Sequence, residues 1–321
     1  MMRKGYGRLG TLLTTIGIVI AILITTAVFG DLRRLYDLLD ALQWSNIVIL
    51  VLLAVVNHGL RYWRWELLLK RVAFNNFKRS TAILLFSAGS LLIFTPARVG
   101  EIAKSVYVRD FFSIPISTSL PIIIFERLTD AIIMVLLAAL GLLLLGEPFN
   151  TLLGGIILSV ILIIFVFRKP LLTWTAHWNM NRLVRSSTFG QVLSLANNSQ
   201  RRLLSADALG INLSIGTSTW IIEVFIYFFS LLAIGVPLSF HLFVLALAVF
   251  PLASLGGSIS FLPGGLGATE GGIIALGILL GGLSQEVVVL SALLSRVAIL
   301  SVVVLAGIVS VLLLRGKKQL S

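Results

Sequence analysis

Leu262-Pro263-Gly264-Gly265-Leu266-Gly267-Ala268-Thr269-Glu270 interrupts a long apolar run, and Thr95-Pro96-Ala97-Arg98-Val99-Gly100-Glu101 interrupts an earlier one in the same manner. Each break places a proline, then glycine, then a carboxylate. Proline lacks an N–H to continue a helix and glycine costs backbone entropy, so both stretches stop one. Inside hydrocarbon, the backbone groups freed at such a stop must be buried in protein or face a wet cavity. A broken apolar helix that carries an ionisable group therefore marks a site by default. The rest of the chain reads as support for these two breaks.

Their surroundings are those of a membrane protein. Of 321 residues, 58% are hydrophobic and 12% charged, more apolar surface than a water-soluble domain of this size needs. The expected fold class is an all-α polytopic membrane protein with about six full spans and two re-entrant half-helix hairpins arranged as an inverted repeat. The net charge of +12 does not point to nucleic acid, because the basic residues fall between hydrophobic spans, as the positive-inside rule places them. There is no cysteine, which excludes disulfides and thiolate chemistry. No metal or other cofactor is implied.

Residues 1–44 hold a basic start (Arg3, Lys4, Arg8), a first span near Leu9–Phe29 and an interfacial helix over Asp31–Gln43. The first span is too long for a signal peptide and lacks a small-x-small cleavage site, so it is expected to be retained. Residues 45–146 form a first unit: a span near Ser45–Trp63, a hairpin at 80–110 and a span near Ser117–Gly146. Arg61-Tyr62-Trp63-Arg64-Trp65, at the end of the first of these, reads as interface anchoring. Each half of the hairpin has about fifteen residues, too few to cross ~30 Å of hydrocarbon at about 1.5 Å per residue.

Residues 147–208 bring a connecting span near Thr151–Phe167 and a cytoplasmic basic segment containing Arg168, Lys169, Arg182, Arg185, Arg201 and Arg202. Residues 209–315 form a second unit: a span near Leu209–Ile234, a hairpin at 240–282 and a span near Val287–Leu314. Residues 316–321 are a cytoplasmic tail; counting Arg315, seven residues follow the last span. The loop charges put both termini in the cytoplasm.

Landmarks recur between the two units. Pro96 to Arg127 is 31 positions and Pro263 to Arg296 is 33; His58 to Pro96 is 38 and Glu223 to Pro263 is 40. Each arginine lies about ten residues into its span, about 15 Å deep. The first unit starts outside and the second inside, which makes the copies inverted, an arrangement similar to that of secondary transporters.

The candidate site residues follow from depth. Arg98, Glu101, Glu126, Arg127, Asp130, Glu223, Glu270 and Arg296 are ionisable groups within the spans or breaks, where an isolated charge costs about 3 kcal/mol. Glu126 and Asp130 share a helix face, and Arg127 reaches Asp130 three residues on. One outcome is a salt-bridge network that only fixes packing. The other is a polar cavity in which Arg127 and Arg296 hold an anionic head group, since the planar guanidinium donates two parallel hydrogen bonds to phosphate. Pro263, Gly264, Gly265 and Gly267 belong to this set because they let backbone approach a phosphate closely. Half-helices starting near Arg98 and Ala268 add their positive N-terminal ends.

Pro96-Ala97-Arg98-Val99-Gly100-Glu101, Glu126-Arg127-Leu128-Thr129-Asp130, the Pro263–Glu270 motif and Arg296 together resemble the signature of the lysylphosphatidylglycerol synthase membrane-domain family, also called the flippase-like domain family. Arg61 and Arg64-Trp65 fit the resemblance as well. It covers nearly the whole chain and implies an integral protein of the cytoplasmic membrane that handles lipids. Larger relatives carry a soluble aminoacyl-transferase domain after the membrane part; this chain stops at Ser321, so synthase activity is expected to be absent.

The leading expectation is a lipid flippase or transporter that moves a phospholipid or a polyprenyl-phosphate-linked sugar between leaflets. Its partners are membrane lipids with anionic or zwitterionic head groups, with a homo-oligomer or a lipid-modifying enzyme as further partners to consider. The rival is an intramembrane enzyme or accessory protein of lipid-linked glycosyl or aminoacyl transfer, which needs a positioned acid or base and usually a metal-binding carboxylate pair. No CDP-alcohol transferase pattern and no Pro-Ser-Gly-His motif is present. A small-ion or amino-acid transporter also fits the repeat, but it explains two arginines at mid-depth less well.

Overall fold

The structure is a computed structural model and describes residues 42–73, 77–95, 101–146, 188–260 and 262–318. Spans expected at 9–29 and 151–167, the interfacial helix at 31–43 except its last two residues, and the break residues 96–100 lie outside them. Among the described residues the regular structure is helical throughout: α1 (Trp44–Ala73), α2 (Arg79–Ser90) running into a 3-10 turn (Leu91–Phe94), α3 (Ile102–Phe112), α4 (Ile116–Leu145), α5 (Thr188–Leu203), α6 (Ala206–Ala233), α7 (Phe240–Ile259), a 3-10 turn (Pro263–Gly265), α8 (Ala268–Gly281) and α9 (Gln285–Lys318).

Six of these stretches are long and apolar enough to cross a membrane. Four (α1, α4, α6 and α9) fall where full spans are expected. The other two are Phe240–Ile259 and Pro263–Gly281, the arms of the second broken segment. At 20 residues, α7 is about 30 Å long, so the shortness argued for the first hairpin does not extend to this arm.

The helices are turned inside out relative to those of a water-soluble bundle. On α4, Ile124, Leu128, Ile132, Leu136 and Leu140 are exposed at every fourth position, while Glu126, Thr129 and Asp130 are buried. Such a helix is stable only where the medium outside is apolar and the polar groups find partners within the protein. Thr129 and Asn212 supply one such match: Asn212 Nδ2 donates to Thr129 Oγ1 at 2.7 Å and ties α6 to α4. The chain is a multi-pass membrane protein.

Both broken segments fold back on themselves. The ends of the first meet where Phe77 stacks on Phe112, ring centroids 5.0 Å apart, in an apolar cluster shared with Ala208 and Leu209 at the start of α6. The ends of the second meet where a Cβ added to Gly281 would lie 2.5 Å from Leu245 Cδ2. Phe243, near the start of that hairpin, packs on Phe225 and Phe228 of the second half of α6. The ends of the two broken segments therefore pack near opposite ends of α6. Their turns, Leu91–Phe94 and Pro263–Gly265, come into contact in the middle.

The helix α2 packs against α9 and α7 against α4, while α1 packs along α6. A glycine permits each of these close approaches. A Cβ on Gly141 of α4 would overlap the backbone of Ala248 in α7, and one on Gly307 of α9 would overlap Leu91. Gly141→Ala should therefore destabilise by about 2–3 kcal/mol through overpacking. At Gly59 nothing lies within 4 Å of the added Cβ, and Gly59→Ala should be neutral or raise the melting temperature. Thermal unfolding of the two variants side by side checks this, and equal melting temperatures would contradict the close packing.

Candidate functional site

Where the two turns meet, the protein encloses a cavity with about 880 Å³ of empty space, its mouth included. Of the residues singled out in the sequence, Glu101, Glu126, Arg127, Glu223, Gly264 and Arg296 line it. Asp130 and Glu270 sit directly behind, paired to the arginines of the wall. Gly265 is buried beside Thr269, and Arg98 lies outside the described residues.

The second break is built by its glycines. Gly264, Gly265 and Gly267 take φ of 64°, 69° and 82°, left-handed values that an L side chain resists. After this turn α8 starts, capped by its own third residue: Gly267 N–H donates to Glu270 Oε2 at 2.7 Å. Arg296 then locks the turn, with Nε donating to Glu270 Oε1 at 2.7 Å and Nη2 to the Gly264 carbonyl at 2.8 Å. Thr269 packs into the space that a side chain on Gly257 would fill. This tip is thus closed upon itself, and the N–H of Gly267 expected to face a phosphate is already used. Glu270→Gln keeps the shape but loses the charge-assisted bonds, so a loss of about 2 kcal/mol is expected. A thermal melt unchanged from wild type would show that the lock carries no weight.

The opposite wall is different in kind. Arg127 lines the cavity with 31% of its side chain exposed, and its ion contacts are long: Nε to Glu101 Oε2 at 3.6 Å and Nη2 to Asp130 Oδ2 at 3.4 Å. The guanidinium is held by charge but leaves hydrogen-bonding capacity open. Arg61 is similarly placed, 21% exposed, with Nη2 donating to Glu223 Oε1 at 2.7 Å and its guanidinium carbon 5.5 Å from the centre of the Trp220 ring. Asn57 Nδ2 donates to the same Glu223 oxygen at 2.8 Å.

Arg64 is the hidden member. Its side chain is 1% exposed, with Nη1 donating to Asp130 Oδ1 at 2.7 Å, Nη2 to Oδ2 at 3.3 Å, and Nε 3.3 Å from Glu126 Oε1. Gly216 makes room for it, since a Cβ there would lie 2.7 Å from Arg64 Nη1. The interface-anchor role expected of Arg61 and Arg64 gives way to this one: both point into the bundle and neutralise the carboxylates of α4 and α6. Lys104 is likewise buried, with Nζ 3.8 Å from Glu101 Oε2 and 4.5 Å from the centre of the Phe86 ring. His58 Nε2 is hydrogen-bonded with Ser87 Oγ at 3.0 Å, as a packed span histidine would be.

Asn57, Arg61, Arg64 and Lys104 were not among the site candidates. For the first three a signal exists. Positions 57, 61 and 64 are four and three apart, one face of a helix, and that face meets the acids of α4 and α6.

The family model for the lysylphosphatidylglycerol synthase TM region matches residues 13–307. The chain belongs to that family. Neither a curated protein nor a solved structure matches it. The match to this lysylphosphatidylglycerol synthase TM region protein includes every residue described at the cavity. Lipid-related membrane chemistry is therefore the setting in which these arginines have to be understood.

Proposed function

We propose that the protein moves a phosphate-bearing lipid between leaflets, its head group passing through the cavity while the acyl chains stay in the bilayer. The observation that carries this reading is the exposure of the charged groups lining the cavity: Arg127 and Arg61 are 31% and 21% exposed, while Glu101, Glu126 and Glu223 beside them are 3–8% exposed. Arg127 and Arg61 are the head-group ligands, because their forks are not used up by the protein. Arg296, Glu270 and the glycines of Pro263–Gly267 hold the second tip in shape. Arg64 and Lys104 keep the buried carboxylates charged and in place. Glu101 belongs to the first tip and holds Arg127 and Lys104.

The transport route follows from two inverted units, residues 45–146 and 209–315, each made of a span, a re-entrant hairpin and a second span. Reciprocal packing supports this reading, since α2 rests on α9 as α7 rests on α4. In this topology the protein sits in the cytoplasmic membrane with both termini and the base of the first hairpin on the cytoplasmic side. Labels at Lys78, Ser113 and Ser205 should then react from one side of sealed vesicles, and labels at Gly235, Ser239 and Ser284 from the other. Lys78 and Ser113 reporting opposite sides would make the first hairpin a full crossing and end the inverted-repeat reading.

Movement itself is tested by reconstituting the purified protein into liposomes with headgroup-labelled phospholipids and measuring how much label becomes reachable by a membrane-impermeant quencher. Faster loss of inner-leaflet label than in protein-free liposomes is expected. Rates equal to those of empty liposomes for every phosphate-bearing lipid tested would reject the proposal.

A further inference from the structure

Glu126 is held differently from the carboxylates around it. Asp130 accepts from two Arg64 nitrogens at 2.7 and 3.3 Å. Glu223 accepts from Arg61 at 2.7 Å and Asn57 at 2.8 Å, and Glu270 from Arg296 and the Gly267 N–H, both at 2.7 Å. Glu126 lines the cavity with its side chain 3% exposed, yet neither carboxylate oxygen accepts a hydrogen bond from any described residue. Arg64 Nε, 3.3 Å away, makes an ion contact without hydrogen-bond geometry, and the other nitrogens of that guanidinium are committed to Asp130. A carboxylate this deep is normally fixed by donors. One that is not fixed gives up its charge most readily when a second anion arrives.

The helices around α4 set the field at this position. To the cavity, α1 presents His58, Arg61 and Arg64, α3 presents Lys104 with Glu101 at its start, and α6 presents Glu223. On α4 itself stand Arg127 and Asp130, and across the cavity Arg296 of α9 is paired to Glu270 of α8. The packed helix α7 has no charged residue, its His241 being exposed at the start, and Arg201 and Arg202 are exposed at the end of α5. The cations that act on Glu126 are Arg64, Lys104 and Arg127, and they keep it ionised while no other anion competes for them. A phosphate seated on Arg127 changes this. It occupies the guanidinium and brings a second negative charge into the same low-dielectric space, where like charges repel strongly. A proton on Glu126 removes the repulsion. The carboxyl then has an O–H to donate to a phosphate oxygen, which the ionised form lacks.

We infer that Glu126 is a proton site, and that a lipid phosphate and one proton occupy the cavity together and cross together. This rests on the proposed function above and adds the coupled ion to it. The proton passes from water to a Glu126 oxygen as the head group enters and returns to water as it leaves; no covalent bond of the lipid changes. The phosphate charge is offset in transit, so a pH difference drives the movement and a membrane potential does not.

The test measures the proton directly. Purified protein in nanodiscs is titrated with phosphatidylglycerol at about pH 6 and about pH 8, a range in which an ordinary carboxylate and a phosphodiester both stay ionised. The wild-type Kd should rise with pH, by up to about tenfold per unit. Glu126→Gln, neutral at every pH, should bind with an affinity independent of pH, whereas His58→Gln should keep the wild-type dependence. In liposomes the wild-type protein should gather tracer-labelled phosphatidylglycerol in the leaflet facing the alkaline side, about tenfold per pH unit; a potassium-diffusion potential at equal pH should not, with protein-free liposomes as background. A wild-type affinity flat across pH overturns the inference and leaves the lipid-phosphate reading standing. A pH dependence that survives Glu126→Gln overturns it too, because the proton would then sit elsewhere, as on His58. Should Glu126→Gln fail to fold, the wild-type liposomes decide: redistribution by potential and not by pH overturns the inference. Phosphatidylglycerol that neither binds nor moves at any pH rejects the lipid-phosphate reading for this probe, and the inference with it.

Discussion

Arg64→Ala is expected to lower the stability of the folded protein by about 3–5 kcal/mol, the largest single-site effect in the cluster. Removal of this side chain leaves Asp130 without its two short hydrogen bonds and Glu126 without its nearest Arg64 nitrogen. Neither carboxylate can turn to water, since both are almost fully buried. Arg61 and Arg127 remain near Asp130 at 3.7 and 3.4 Å, too far for short bonds without drawing them out of the cavity. Arg64→Ala with Asp130→Asn should recover a large part of the loss, because the second change removes the stranded charge. Thermal unfolding in detergent is the measurement. A single mutant that melts within a degree or two of wild type would show that the pair is not a structural strut.

Arg127→Lys is expected to leave the fold intact and reduce lipid movement by about tenfold or more. Lysine preserves the charge that balances Glu101 and Asp130 but loses the planar fork that grips a phosphate. Arg127→Ala should also fold, with a stability loss of about 1 kcal/mol, because Asp130 keeps Arg64 and Glu101 keeps Lys104. The two arginines thus separate: loss of the hidden one unfolds the protein, and loss of the exposed one silences it. Thermal stability and lipid movement in the same liposome preparation decide the case. Wild-type rates from Arg127→Ala would remove it from the head-group site.

Much of the architecture is legible in the order of apolar runs. Four helices stand where full spans are expected, and each broken segment is divided into two helices, α2 with α3 and α7 with α8. The packing partners are not legible. Nothing in the hydropathy of α7 says that it rests on α4, because a helix that is apolar all round has no marked face, and only a small residue such as Gly141 hints at close approach. At the site, the sequence separates charged from apolar positions by depth but does not separate strut from ligand. Arg127 and Arg296 look equivalent by spacing, yet Arg296 donates two short hydrogen bonds to its own tip and Arg127 makes only longer contacts. That difference is set by partners far away in sequence. Arg61 and Arg64 were hidden by their place near aromatic residues at the end of an expected span; α1 continues to Ala73, which carries them inside.

The packing of α2 on α9 has a consequence for biogenesis. The first hairpin rests on α9, with Leu91 and Ser87 against Gly307, so its supporting surface is made only after more than two hundred further residues have left the ribosome. At about 5–20 residues per second, that interval is on the order of 10–40 s. Throughout it, the buried charges of Glu101 and Lys104 have neither the second tip nor the last span to shield them. The nascent chain must therefore keep a half-built polar pocket away from lipid until synthesis is nearly complete. Loss of α9 should strike the beginning of the protein as hard as its end.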